Sequence, residues 1–170
     1  MTPPVISIVS KKNCGKTTLI EKLIPELGSR RFRVGTIKHD THGFEIDHEG
    51  KDTWRHKQSG ARTVVISSPW KLSLIKDMAQ EASLDEIVEA YFTDMDLVLT
   101  EGYKHGSKPK IEVFRRAAHR NPLHVKGEPN NLIAVVSDVS LDLGVPVFDI
   151  NDVSGLADFI VQRFLSPGNP

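Results

Sequence analysis

The sequence predicts an α/β fold with a mostly parallel sheet, an antiparallel part, and helices on both faces. Three observations carry that prediction. Val5-Ile6-Ser7-Ile8-Val9 is the kind of β-rich run that forms a buried parallel strand, and a helical pattern follows it within a few residues. Apolar runs at 96–100 and 132–136 have the same buried character. Strands alternate with helices through the first half of the chain, and strands dominate after it.

Taken in order, the loop after Val9 closes at Gly15. Leu19, Ile20, Leu23, Ile24 and Leu27 then fall at helical spacing, with Pro25 bending the last turn and Gly28 as the stop. Residues 32–38 read as a second strand, and 39–50 as a polar loop enriched in His and Asp. A short helix suits 51–60, and strands suit 63–67 and 70–76, joined by the turn signal Ser67-Ser68-Pro69. Ser83 and Glu86 have capping-box spacing at the head of a helix whose apolar face is Leu84, Ile87, Val88, Tyr91 and Phe92. Beyond the strand at 96–100, Lys110–Phe114 alternates like a half-exposed strand, 132–136 is continuously apolar, and 145–148 is short and extended. Leu156, Phe159, Ile160 and Phe164 share the face of a closing helix.

The 170 residues suffice to bury a core without disulfides or metals. One domain is expected over 1–170, with its core at about 5–165 and a flexible tail at 166–170. Lys and Arg number 22, as do Asp and Glu, which argues against a general binder of nucleic acid or membrane surfaces. The single Cys14 excludes an internal disulfide and a Cys-based zinc cage. No basic, apolar leader opens the chain, and no run approaches the ~20 apolar residues of a membrane span. The expectation is a soluble cytoplasmic protein.

The loop itself is Ser10-Lys11-Lys12-Asn13-Cys14-Gly15-Lys16-Thr17-Thr18. It matches the phosphate-binding P-loop, Gly-x4-Gly-Lys-Ser/Thr, at every fixed position except the first, where Ser10 replaces glycine. A strand ends where the loop must begin and an amphipathic helix begins at Lys16, so the fold reads as a P-loop NTPase-like sheet. Residues 11–18 are expected to curl backbone N–H groups around phosphate, with the helix's positive end aimed at it. Gly15 allows close approach, Lys16 reaches the β- and γ-phosphates, and the Thr17 hydroxyl ligates Mg²⁺. Cys14 reads as a small loop residue rather than a nucleophile.

Glu101 ends the apolar strand at 96–100, where P-loop proteins place an acid that holds the Mg²⁺ shell or polarises the attacking water. With Lys16 it is the candidate catalytic residue. Asp96 sits at the strand's other end, far from phosphate. Asp40 and Asp52 compete with Glu101 for the metal shell. Asp138 follows the strand at 132–136, where a guanine-reading carboxylate belongs, yet Val135-Val136 stands where Asn-Lys usually does; guanine reader and turn cap are both open readings. His39, His42, His48 and His56 lack the Cys or spaced fourth ligand of a zinc site, so contact with an anion by Lys38, His39 and Arg55 is the better reading. The cations of residues 102–110, Lys104 among them, fall at the same edge as the P-loop, where a second phosphorylated substrate or an acidic partner would account for them; a solvated loop is the other reading.

Read together, these elements resemble a family. The P-loop, Gly35-Thr36-Ile37-Lys38-His39, Gly50-Lys51-Asp52-Thr53-Trp54-Arg55-His56 with Gly60-Ala61, residues 96–104, Pro109-Lys110-Ile111 and Val136-Ser137-Asp138 look, in that order, like molybdopterin-guanine dinucleotide biosynthesis protein B (MobB). The resemblance runs from about residue 5 to about residue 164. It implies a GTP-binding homodimer with slow hydrolysis, associated with attaching GMP to molybdopterin in making molybdenum cofactor. The transferase chemistry would belong to a separate guanylyltransferase, protein A of the pathway. Position by position, it implies Lys16 and Thr17 on phosphate and Mg²⁺ and Glu101 near the γ-phosphate. Lys38, His39, Asp52 and Arg55 join the site without assigned roles. The rival reading is a P-loop small-molecule kinase. That reading needs a lid of arginines, and Arg115-Arg116 lies in a segment with no evident lid helix.

Overall fold

The computed structural model describes residues 2–127 and 130–166. Most of the tail expected to be flexible, 167–170, lies outside them. The chain comprises two compact units, residues 1–39 with 87–170 and residues 40–86.

The first unit is built on β1 (Val5–Val9), β2 (Val34–Lys38), β5 (Leu97–Glu101), β6 (Lys110–Phe114), β7 (Leu132–Ser137) and β8 (Val147–Asp149), numbered so that β3 and β4 belong to the second unit. They form one sheet in the order β2-β5-β1-β6-β7-β8, and every neighbouring pair is parallel. Burial on both faces explains why β1 and β5 read as continuous apolar runs. Alternation assigns the faces. Ile6, Ile8, Leu97, Leu99, Ile111, Val113, Ala134 and Val136 pack with the buried stripe Leu19, Ile20, Leu23 and Leu27 of α1 (Lys16–Ser29). Leu156, Ala157 and Ile160 of α4 (Val153–Ile160) join the same core, and a π-helical turn over Val161–Leu165 continues that helix. On the opposite face Phe92, just past α3 (Leu84–Tyr91), lies directly over Gly35 of β2, which leaves no room for a side chain there. Helices therefore serve both faces, as expected.

Two local expectations are corrected. α1 runs through Pro25 and Gly28 to Ser29, and the left-handed residue that follows it is Arg31, at φ 70°, not a glycine. The N–H groups of Arg30 and Phe32 both reach the Leu27 carbonyl, which supplies the stop. β6 is fully buried rather than half-exposed, because it lies between β1 and β7. Its polar residues are partnered inside. The Lys110 ammonium donates to the carbonyls of Gly106 and Asn130, and burial pushes its pKa down. Glu112, 1% exposed, accepts from the N–H groups of Leu123 and His124 and from His124 Nδ1 at 2.8 Å.

The second unit holds α2 (Asp52–Gln58) and the antiparallel hairpin of β3 (Thr63–Ser68) and β4 (Lys71–Lys76). Trp70, read as the start of a strand, is instead in the turn and 94% exposed, with Ser68 Oγ accepting from the Lys71 N–H across it. The capping box is present: Ser83 Oγ accepts from the Glu86 N–H, and the Glu86 carboxylate accepts from Ser83. That pairing holds the Glu86 carboxyl below its ordinary pKa. Among the described residues no helix is long and apolar enough to cross a membrane.

Candidate functional site

The carboxyl ends of β1 and β5 bring the predicted phosphate-site residues to one sheet edge. Beyond Val9 the backbone takes positive φ at Asn13 (60°) and Gly15 (93°), which turns successive N–H groups into a concave loop. Gly15 is the N-cap of α1, with no side chain capping the helix and no acid in its first turn. Its orphan N–H groups and the positive end of its dipole are thus left for an anion. Lys16 Nζ donates to Ser10 Oγ at 3.2 Å, so the hydroxyl that replaces the first glycine holds the loop's own ammonium. Cys14 is 1% exposed and belongs to the core, which fits its reading as a loop residue.

Thr17 Oγ1 donates to Glu101 Oε2 at 2.9 Å. The two residues expected to share a metal ion, 84 positions apart in sequence, therefore meet. β2 and β5 pair in register with Lys38 opposite Glu101, and the His39 N–H donates to the Glu101 carbonyl at 3.0 Å. The His39 ring stacks on Tyr103 at 4.4 Å, and Gly102, at φ 109°, turns the chain beneath it. Lys104 lies on the rim of a cavity of about 750 Å³, which Lys110, His124, Asn130 and Asn131 also line.

Other expected residues are engaged in different ways. Lys11 Nζ donates to the Asn121 carbonyl at 2.9 Å, and the Lys12 carbonyl accepts from His119 Nε2 at 2.7 Å. Asp138 Oδ1 accepts from the Arg116 N–H at 2.9 Å, so it caps the turn after β6. It also lines a cavity of about 370 Å³ at the carboxyl ends of β7 and β8, together with Ser137, Phe148 and Asp149. Asp40, Asp52 and Arg55 belong to the second unit. There Asp40 accepts from the His42 N–H, and Asp52 and Arg55 form a long, exposed ion pair of 3.9 Å on α2. Asp96 lies away from the loop edge, as expected. Arg33 donates to it from its side chain and its backbone, which holds the carboxyl below the ordinary aspartate pKa.

Sequence reasoning weighed Arg115 only as half of an arginine pair for a kinase lid and left it out of the site. The structure sets its guanidinium beside Gly15, with Nη2 3.5 Å from where a Gly15 Cβ would stand. Arg115 directly follows β6, and only the pairing of β6 with β1 puts it at the edge where the P-loop begins.

A family model, molybdopterin guanine dinucleotide synthesis protein B, matches residues 5–138. The chain is 40% identical over 162 residues to the molybdopterin-guanine dinucleotide biosynthesis adapter protein of Escherichia coli, covering 94% of this chain and 92% of that one. It is 37% identical to the adapter protein of Haemophilus influenzae, over 92% of this chain and 87% of the relative. Among solved structures it resembles a crystal structure of molybdopterin-guanine biosynthesis protein B (TM-score 0.71, 34% identity, 93% of this chain and 97% of that one). It also resembles Bacillus subtilis MobB (TM-score 0.75, 26% identity, 98% and 99%). The phosphate loop, the acid that meets its threonine, and matches spanning nearly the whole chain agree: this chain belongs to the molybdopterin guanine dinucleotide synthesis protein B family.

Proposed function

We propose that this chain is a GTP-binding adapter of molybdopterin guanine dinucleotide synthesis, holding Mg²⁺–GTP for a separate guanylyltransferase in the cytoplasm and turning it over weakly. One observation carries the nucleotide part: an uncapped helix N-terminus behind a loop with left-handed backbone at Asn13 and Gly15, with Thr17 bonded to Glu101 beside it. Lys16 would leave Ser10 for the β- and γ-phosphate oxygens. Thr17 Oγ1 and the Glu101 carboxylate supply two hard oxygen ligands, and octahedral Mg²⁺ takes the rest of its shell from phosphate and water. The ion would neutralise charge on the β- and γ-phosphates. A Glu101 committed to that shell is poorly placed to orient an attacking water, which favours holding the nucleotide over fast hydrolysis.

The preference for guanine rests on the cavity at the ends of β7 and β8, where Asp138 and Asp149 are the acids. Guanine offers two donors, N1–H and the 2-amino group, to a carboxylate; adenine has an acceptor at N1. The homodimer that the family resemblance implies is supported by the hairpin, where Val65 and Leu72 share one face and are 51% and 67% exposed. Molybdopterin and the guanylyltransferase are the partners this reading requires.

Calorimetric titration with Mg²⁺ and GTP or ATP tests the site, with Lys16→Ala as the control. Tight binding of GTP, weaker binding of ATP and loss of both in Lys16→Ala is the expected pattern. Equal affinity for ATP would remove the guanine part, and phosphoryl transfer to an acceptor in place of phosphate release would favour the kinase. Sedimentation of wild type and Leu72→Glu tests the dimer; a wild type that stays monomeric at tens of micromolar (roughly the range of weak association) would remove it.

A further inference from the structure

Arg115 is held in place from several sides. The backbone carbonyl of Arg115 accepts from the N–H groups of Ala118 and His119, and the next residue's N–H is fixed by Asp138. The segment it begins is tied to the P-loop twice, through Lys11 to the Asn121 carbonyl and through His119 to the Lys12 carbonyl. This clamped geometry leaves the Arg115 guanidinium 3.5 to 3.7 Å from the Cβ position of Gly15. Arg115 Nε is buried there without a hydrogen-bond partner. An arginine fixed against a phosphate loop with a buried donor unmet is an unfinished arrangement, since such a donor carries its full desolvation cost. A polyphosphate would complete it. The guanidinium is planar and rich in donors, so it binds phosphate oxygens in pairs, unlike the point charge of Lys16.

We propose that Arg115 is a phosphate-binding residue of the nucleotide site, brought in by the same chain from β6, and that it reads the charge of the polyphosphate. The inference rests on the nucleotide-site reading above and adds a residue to it. The anchored backbone leaves the guanidinium at the loop to meet phosphate oxygens, and each added phosphate gives it more charge to bind. That makes Arg115, alongside Lys16, a discriminator between GTP and its shorter forms, while the loop N–H groups serve all of them.

The test is calorimetry with GTP, GDP, GMP and inorganic tripolyphosphate, each with Mg²⁺, on wild type, Arg115→Gln, Arg115→Lys and Lys16→Ala. Arg115→Gln keeps a polar side chain but removes the guanidinium, its charge and its reach. It is expected to weaken GTP and tripolyphosphate by about ten- to a hundredfold and GMP by less than about threefold. Arg115→Lys should recover only part of the loss, and the melting temperature without nucleotide should stay that of wild type. Unchanged GTP affinity in Arg115→Gln would overturn the inference while leaving the nucleotide reading intact. Equal weakening of GMP and GTP, together with a lower melting temperature without nucleotide, would also overturn it, because the side chain would then be a brace for Gly15. A wild type that binds none of the four ligands would overturn both readings together.

Discussion

Glu112→Ala should loosen the phosphate loop from behind, because that carboxylate organises the segment on which the loop leans. Glu112 pairs in register with Val9, the last strand residue before the loop, and is 1% exposed. Its carboxylate accepts from the Leu123 and His124 N–H groups and from His124 Nδ1. Alanine strands two buried backbone donors at about 1–3 kcal/mol each, or about 2–6 kcal/mol in all. Relaxation that admits water places the net loss near the lower half, about 3 kcal/mol. That is a large share of the ~5–15 kcal/mol by which a domain of this size is stable. Glu112→Gln retains an acceptor oxygen but turns an amide N–H₂ toward a donor, so it should cost about 1–3 kcal/mol. Urea unfolding gives the energies, and amide hydrogen exchange at Leu123 and His124 localises them. Nucleotide affinity should fall as well, since Asn121 and His119, the partners of Lys11 and Lys12, lie in the same segment. A Glu112→Ala protein within about 0.5 kcal/mol of wild type, with those amides still protected, would refute the reasoning, because unmet buried donors cannot be that cheap.

Gly35→Ala places a Cβ 2.3 Å from the Phe92 ring and should cost at least about 1–3 kcal/mol in urea unfolding, partly restored by adding Phe92→Leu. Thr17→Ala and Glu101→Gln should each weaken nucleotide binding about tenfold in Mg²⁺ and leave it unchanged in EDTA; equal losses in both buffers would take Mg²⁺ out of that pair. The Asp96 carboxyl sits below its ordinary pKa because Arg33 hydrogen-bonds the charged form. Its contribution is therefore complete above the unfolded value of about 3.9 and is lost as pH falls through the folded value. The pair is partly exposed, so Asp96→Asn should remove less than about 1 kcal/mol at pH 7 and flatten the acid limb of urea midpoints taken from pH 7 to 3.

Strands buried on both faces could be read directly, because their apolar runs are short, continuous and bounded. Lys110–Phe114 could not. Its alternation of Lys, Ile, Glu and Val looks like a strand facing water, and only the loops that supply carbonyls to Lys110 and N–H groups to Glu112 make burial affordable. In the site, loop and acid were legible for different reasons. Ser10–Thr17 is a contiguous pattern whose chemistry is local. Glu101 was found from its place at a strand end, and its meeting with Thr17 follows from β5 lying beside β1. Arg115 was left out of the site because it belongs to no motif; its neighbour Gly15 is a hundred positions away in sequence.

By itself the sequence determined the class of fold, the phosphate loop, the acid at the end of β5 and the family, because each is written in contiguous residues or in the order of short motifs. Tertiary structure decided which strands are neighbours, and through them which distant side chains share the loop. Ser10 illustrates the division. As a sequence feature it is a missing glycine; in the fold its hydroxyl accepts from the Lys16 ammonium. The same holds for Asp138, legible as a carboxylate after a strand but bound to Arg116 by the pairing of β6 with β7. Hydrogen bonds of this kind depend on geometry across the sheet edge, and spacing along the chain carries no record of it.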